Sequence, residues 1–125
     1  MARTRREMAT AVLQQLRLVT TGLPAAAEDI RTIIDQYEDV YAELVDRGLC
    51  YWPNSSDTAE EIPNVVFRAV VNILTGEVAD VFGKEEPMTT DDGYEPVSAR
   101  VKGFRDLRRH MAKRPSGEAT PFSSY

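Results

Sequence analysis

The sequence predicts an all-α protein: a small helical bundle of about four helices with an extended C-terminal arm. Apolar residues recur at helical spacing in four separate segments of the chain. Glycines, prolines and short polar stretches separate these segments, and such residues end helices. The final residues, RPSGEATPFSSY, are too polar and too rich in proline to fold alone, which predicts the arm.

Length and composition indicate one small globular domain. The chain has 125 residues, of which 42% are apolar and 28% charged. Its apolar stretches are shorter than the roughly 18 residues of a membrane span. Gln14, Gln15 and Arg17 interrupt what could otherwise be a signal-peptide core. The single cysteine, Cys50, cannot form an internal disulfide and indicates a cytosolic origin.

Charge is divided into three zones along the chain, although the net charge is only −5. Residues 1–27 carry four basic residues and one acidic residue, and residues 28–95 carry seventeen acidic and four basic residues. Residues 96–114 carry seven basic residues and one acidic residue. This pattern fits a solvated surface with local ion pairs. It also fits electrostatic complementarity between neighbouring copies, or a basic element facing nucleic acid or an acidic partner.

The first helix is predicted at about residues 4–18. Four apolar residues follow one another at helical spacing: Met8, Val12, Leu16 and Val19. Gly22 then permits a left-handed C-terminal cap, and Pro24 cannot continue a helix.

The second helix is predicted at about residues 26–47. Glu28 and Asp29 fall in its first turn and Arg47 precedes Gly48 at its end, and both placements suit the helix dipole. One wide apolar face is formed by Ile30, Ile33, Ile34, Tyr37, Val40, Tyr41 and Leu44.

Residues 49–61 are predicted to form a loop, because Trp52 precedes a proline and turn-forming residues follow. Leu49, Tyr51 and Trp52 are expected to fold back on the helices as a hydrophobic lid. Asn54-Ser55-Ser56 matches a glycosylation sequon, a match attributed to chance because a secretion signal is missing.

The third helix is predicted at about residues 63–82, with Pro63 at the first helical position and Gly83 as its stop. Thr58 to Glu61 has the spacing of a capping box, although slightly early. The segment is apolar nearly all round, so a buried strand is the alternative. As a helix it would be central, and its excess of apolar surface suggests burial between subunits.

A polar linker at 84–93 leads to a basic fourth helix at about 96–113. Val97, Val101, Phe104, Leu107 and Met111 form its predicted apolar stripe. We therefore divide the chain into a bundle, residues 1–93, and a C-terminal part, residues 94–125. Residues 114–125 are interpreted either as disordered or as an arm that becomes ordered on a partner.

The chain shows no arrangement typical of an enzyme, a metal site or a cofactor site. His110 is the only histidine, and no spacing in the sequence brings it to Cys50 as a base would require. Asp91-Asp92-Gly93 is too short for a calcium loop, and the numerous carboxylates fit a solvated face. The acidic zone, residues 28–95, contains Tyr37, Tyr41, Tyr51 and Trp52. These aromatic residues suit core packing better than base stacking, because phosphate would be repelled there.

The order of several short motifs resembles the head–tail connector proteins of tailed bacteriophages, which complete the head below the portal. The resemblance covers about residues 8–83. Its elements are VLQQLRLVTTG at 12–22, AEDI at 27–30, IIDQY at 33–37, AEL at 42–44, Trp52, Ile62-Pro63, and ADVFG at 79–83. In that family a short helix, an Ala-Glu-Asp helix start, an aromatic loop and an Ile-Pro before a Phe-Gly-terminated helix occur in this order.

The resemblance implies a helical adaptor in the virion neck, made in the host cytoplasm. Copies would form a ring, usually a dodecamer, that joins the portal protein to the tail or to the next connector protein. Genomic DNA would pass through the ring without sequence-specific binding. An acidic lumen would let the DNA slide, because it repels phosphate. No enzyme activity, cofactor, metal or membrane is implied.

Contact with the portal or a neighbouring subunit is expected at the basic helix and the arm. The candidate residues are Arg100, Arg105, Arg108, Arg109, Lys113, Arg114, Phe122 and Tyr125. Two alternatives stay open: a small helical DNA-binding regulator that uses the basic helix on phosphates, and a helical accessory subunit of an enzyme.

Overall fold

The computed structural model describes residues 2–18, 25–90 and 96–113 and confirms the all-α class. The described helices are α1 (Arg5–Gln15), α2 (Ala27–Asp46), α3 (Asn64–Val78) and α4 (Ala99–Lys113). Four short strands accompany them: β1 (Ala2–Arg3), β2 (Ile62–Pro63), β3 (Met88–Thr90) and β4 (Pro96–Ser98). The predicted arm, residues 114–125, lies outside the described residues.

Helix α3 is the centre of the bundle, because it packs against each of the other three helices and most extensively against α4. Its side chains are buried on several sides, as the apolar composition of the segment predicts. The largest fully buried side chains of the core include Met8, Leu13, Ile33, Ile34, Tyr37, Leu44, Ile62, Ile73, Leu74 and Leu107. Among the apolar residues of α3, Val65 is the exposed one, with 70% of its surface accessible.

Helices α3 and α4 approach each other closely at two glycines. A Cβ atom on Gly103 would lie 2.6 Å from the carbonyl oxygen of Ala69 and 2.7 Å from Cγ1 of Ile73. A Cβ atom on Gly76 would lie 2.6 Å from the Cβ of Arg100. The missing side chains therefore set the distance between the two helices.

Helix α4 shares the core of the bundle. Gly103, Phe104 and Leu107 are buried, and the last two belong to the same cluster as the residues of α1, α2 and α3. The predicted apolar stripe was wrong in part, because Val97 lies in β4 and Val101 is 43% exposed.

The segment before α4 contains strand structure that periodicity did not predict. β3 and β4 form an antiparallel pair in which Met88 faces Ser98 and Thr90 faces Pro96. The backbone N–H of Ala99 donates to the carbonyl of Pro87 at 2.9 Å. The helix was predicted to begin at residue 96, but residues 96–98 are paired with β3. The helix therefore begins at Ala99.

Helix α1 is shorter than predicted at its C-terminal end. Arg17 adopts a left-handed conformation with φ of 62°, and Leu18 donates its N–H to the carbonyl of Leu13 at 3.0 Å. This geometry closes the helix after Gln15, in the way that glycine commonly does. Gly22 and Pro24, the predicted breakers, lie outside the described residues.

A capping box begins α1, and the one expected before α3 is wrong. The hydroxyl of Thr4 accepts from the N–H of Glu7 at 3.1 Å, and the Glu7 carboxylate accepts from the N–H of Thr4 at 2.9 Å. The Glu61 carboxylate instead accepts from the backbone N–H and the hydroxyl of Ser55. The bond from the Ser55 hydroxyl holds the pKa of Glu61 below its usual value.

The residue before α3 is also placed differently from the prediction. Pro63 precedes the helix with an extended backbone and pairs with Ala2 in the β1–β2 ladder. Arg3 pairs with Ile62 in the same ladder, so the start of the chain lies beside the start of α3. Proline is tolerated here because an edge position does not require its missing N–H.

The loop between α2 and α3 covers the core, as the lid prediction requires for Leu49 and Trp52, which are both buried. The indole N–H of Trp52 donates to the Tyr37 hydroxyl at 2.9 Å, and Tyr41 donates to the carbonyl of Trp52 at 2.7 Å. Burial raises the pKa of Tyr37 above its usual range. Tyr51 does not join the lid, since 39% of its surface is exposed.

A buried guanidinium fastens the same loop to α1. Arg5 donates from Nη1 to Glu38 on α2 and from Nε to the carbonyl of Ser56, and its Nη2 lies 3.2 Å from Asp57. Its side chain is only 8% exposed, whereas the carboxylates of Glu38 and Asp57 keep contact with water. The planar fork of arginine suits three acceptors at once.

We predict that Gly103→Ala destabilises the protein by about 1–3 kcal/mol, because the new methyl group overpacks the α3–α4 contact. In an exposed helix the same change would stabilise the fold by up to about 1 kcal/mol. Urea unfolding followed by circular dichroism measures the difference, with Arg108→Ala on the exposed face of α4 as control. A stability equal to or above that of the wild type would contradict the close approach.

We predict that Arg5→Met lowers the free energy of unfolding by about 1–3 kcal/mol, since Glu38, Asp57 and the Ser56 carbonyl lose a shared donor. Arg6→Met is the matched control, because Arg6 is exposed and makes no ion pair within the described residues. Urea unfolding of both variants checks the difference. Equal stabilities would show that the buried guanidinium contributes no net stability.

Candidate functional site

Helix α4 carries five of the eight residues predicted to contact a partner, and they do not share one environment. Its fifteen residues include six basic residues and one acidic residue. Gly103, Phe104 and Leu107 fix which side faces α3. The charged residues therefore divide between the flank that meets α2 and α3 and the side that faces outward.

Arg100 belongs to the flank and is engaged inside the molecule. Its Nε lies 2.5 Å from Glu77 and its Nη2 lies 3.9 Å from Glu43, while its backbone N–H donates to Glu86 at 3.0 Å. Its guanidinium also lies 4.8 Å from the ring centre of Phe104. Arg100 therefore joins α4 to α2 and α3.

Two guanidinium groups lie close to the ring of Phe104. Arg47, at the end of α2, stands 5.0 Å from the ring centre, and Arg100 stands 4.8 Å from it. Glu43 balances both cations, since it lies 2.7 Å from Arg47. We interpret this cluster of Glu43, Arg47, Arg100 and Phe104 as a structural contact that holds α4 against the end of α2, and not as a binding site.

The outward side of α4 retains free positive charge towards its C-terminal end. Asp106 pairs with Lys102 at 3.0 Å and with Arg109 at 3.8 Å. Arg108 and Lys113 are exposed and make no ion pair within the part of the chain that is described. Arg105 is half-buried and engaged in a contact of its own. The predicted residues Arg114, Phe122 and Tyr125 lie outside the described residues.

His110 lies beside the lid loop rather than free in solvent. Its Nε2 lies 3.0 Å from the Tyr51 hydroxyl, and the two rings are 5.8 Å apart. The neighbouring Cys50 donates its thiol to the carbonyl of Trp52 at 3.5 Å. Burial raises the pKa of the Cys50 thiol, which is opposite to the change that activates a nucleophilic cysteine.

A groove between α1 and α3 is the second candidate surface, and it was missed by the sequence analysis. It has a volume of about 650 Å³. Its lining includes Arg3, Ala11, Gln14, Phe67, Arg68 and Val71. The β1–β2 pairing carries Arg3 to α3, where its guanidinium lies 4.4 Å from the ring centre of Phe67. No local spacing connects these residues, so only the fold brings them together.

The groove is apolar at its base and basic at its rim, and Gln14, Gln15 and Asn64 add uncharged polar groups to its lining. Val71 is buried and Phe67 half-buried, whereas Arg68 is exposed and makes no ion pair within the described residues. Arg3 is partly compensated by Glu7 at 3.5 Å. A second cleft next to the groove shares Arg3 and adds Arg6. The surface is therefore suited to an apolar ridge flanked by carboxylates.

Within residues 2–18, 25–90 and 96–113, no group of three His, Cys, Asp or Glu side chains could hold a metal ion. In the same residues, no helix has the length and apolar character needed to cross a bilayer. Neither a protein-family model, nor a curated protein, nor a solved structure matches the chain.

We predict that Cys50 reacts with a thiol reagent at pH 8 more slowly in the folded protein than in urea. The raised pKa leaves less thiolate, and the thiolate is the reacting form. Absorbance during reaction with Ellman's reagent measures the rate, and His110→Ala should react at the wild-type rate. A folded protein that reacted faster than the unfolded chain would identify an activated cysteine.

Proposed function

We propose that this protein is a non-catalytic head–tail adaptor of a tailed bacteriophage. Copies form a ring, a dodecamer in the form that the family resemblance implies, at the head–tail interface of the virion. The ring joins the portal protein to the tail or the next connector protein. Genomic DNA passes through its lumen without sequence-specific binding.

The observation that carries this proposal is the order of the motifs on the helices. The AEDI motif begins α2, so that Glu28 and Asp29 lie in its first turn. Trp52 lies in the loop that follows, and Ile62-Pro63 directly precedes α3. The AEDI and Ile62-Pro63 features thus coincide with element boundaries in a small helical bundle, which supports the adaptor hypothesis.

The surface chemistry supports a role in binding rather than in catalysis. The sole histidine, His110, is hydrogen-bonded to Tyr51, and the pKa of the sole cysteine, Cys50, is raised. Basic residues accumulate at the exposed end of α4, next in sequence to the segment with Phe122 and Tyr125. This end of the molecule is the surface that we assign to the portal protein.

The DNA-binding alternative has weaker support from the same helix. Arg100 and Lys102 are paired with carboxylates of the chain itself, which reduces the charge available for phosphates. Arg108 and Lys113 are what the described part of α4 offers without an ion pair. Binding to phosphates would therefore be weak and steeply dependent on salt.

Electron microscopy of the purified protein, alone and mixed with a candidate portal ring, tests the adaptor role. Cyclic particles, or an added layer of density on the outer end of the portal, are the expected result. A chain that remained monomeric with every portal ring offered, yet bound duplex DNA in a salt-dependent manner, would favour the regulator.

We predict that deletion of residues 115–125 leaves the bundle folded and abolishes docking on the portal. The physical reason is that the residues of α4 that pack on the core, Phe104, Leu107 and Met111, all precede the deleted segment. Circular dichroism checks the fold, and cosedimentation with the portal ring checks docking.

Two variants of full length separate the aromatic groups from the mere presence of a tail. Phe122→Ser with Tyr125→Ser should dock as poorly as the deletion, while Ser123→Ala with Ser124→Ala should dock normally. Normal docking of the deletion variant would show that the arm is not the portal-binding element.

A further inference from the structure

We propose that the α1–α3 groove of one copy receives the outer face of α2 from the next copy. This inference deepens the proposed function and rests on it for its expected product, a closed ring. The occupant fills the groove and brings carboxylates that make no ion pair within the described part of their own chain.

The occupant is a stripe on α2 formed by Asp39, Ala42, Val45 and Asp46. Their spacing places them along one side of the helix, away from the core residues Val40 and Leu44. All four are exposed, including 49% of the surface of Val45. An exposed alanine and valine between two carboxylates form a ridge with the opposite character to the groove.

Among the described residues, the two carboxylates of the stripe have no ion-pair partner. Asp35, Glu38 and Glu43 on α2 pair with Arg31, Arg5 and Arg47. Asp39 and Asp46, in contrast, make no ion pair within the described residues. They are seven residues apart, which corresponds to about 10.5 Å along the helix axis.

The groove offers the complementary set. Ala11 and Phe67, which are half-buried, supply apolar surface for Ala42 and Val45, and Arg68 and Arg3 supply cations at the rim. Arg68, like the two aspartates, has no ion pair of its own among the described residues. Charge complementarity between two surfaces of the same chain thus selects a second copy as the occupant.

The geometry of contact is head to tail, because the groove and the stripe are different surfaces. An interface of this kind leaves one groove and one stripe free at each step, so copies are added until a ring closes or a filament grows. The interface therefore deepens the proposal of a ring with residues that were not among the predicted contacts.

Sedimentation velocity of the full chain at low salt provides the test. Arg68→Glu should raise the apparent dissociation constant of self-association by about tenfold, since a rim attraction becomes a repulsion. Asp39→Arg with Asp46→Arg should do so at least as strongly. Both sites are exposed, and circular dichroism of each variant verifies that the fold is retained.

Mixing the two variants is the sharper experiment. The Asp39→Arg, Asp46→Arg variant keeps Arg68 in its groove, which matches the aspartates on the stripe of the Arg68→Glu variant. The glutamate in the groove of the Arg68→Glu variant matches the two new arginines on the stripe of the other variant. We therefore expect association to be restored in the mixture. Lys84→Glu, and Asp80→Arg with Glu85→Arg, are matched controls on exposed residues and should associate like the wild type.

Three results would overturn the interface: a wild-type chain that stays monomeric, an Arg68→Glu variant that associates normally, or a mixture that fails to recover. A wild-type chain that binds DNA through Arg3 and Arg68 but stays monomeric would also overturn the interface. Docking of monomers on the portal would preserve the adaptor function while removing this interface. Restored association without portal docking would preserve the interface while removing the adaptor function.

Discussion

The close approach of α4 to α3 at Gly103 is the constraint on which the rest of the molecule depends. Because Gly103 has no side chain, the helix backbones come near enough for Phe104 and Leu107 to enter the common core. That approach fixes the rotation of α4 about its axis. Arg100 is thereby directed to Glu43 and Glu77, and Arg108 is left on the exposed side. The distribution of charge on the surface is thus a consequence of packing.

The helical elements were predictable because their apolar spacing is repeated over several turns. The predicted second helix, 26–47, differs by one residue at each end from Ala27–Asp46. The features that were predicted wrongly or not at all depend on contacts between residues distant in sequence or on a single backbone conformation. Arg17 ends α1 in a conformation that sequence assigns first to glycine, and the strand pairs join segments without alternating patterns. The groove was unpredictable for the same reason, since Arg3 and Phe67 meet through the β1–β2 pairing.

The charged residues of the three zones have two roles: some form ion pairs inside the molecule, and others stay exposed on its surface. The sequence alone allowed either role. Arg5 from the first zone and Arg100 from the third pair with carboxylates of the acidic zone, so part of the segregation is neutralised when the chain folds. Buried or partly buried pairs of this kind fix the loop and α4 against the bundle. The remainder consists of exposed groups such as Asp39 and Arg68, whose pairing contributes little in isolation because water screens them.

Exposed charges of this kind gain importance only when they are repeated and desolvated together. In a ring, every copy would present the same groove and the same stripe, so a weak pair is formed once per subunit. Apolar contact of Ala42 and Val45 with Phe67 would exclude water around it, which strengthens the electrostatic attraction. Complementary charges then determine the direction of assembly more than its affinity. A neighbour in the reverse orientation would place groove against groove or stripe against stripe, and would thus bring like charges together. A small bundle with separated groove and stripe is therefore able to specify head-to-tail order without a large interface.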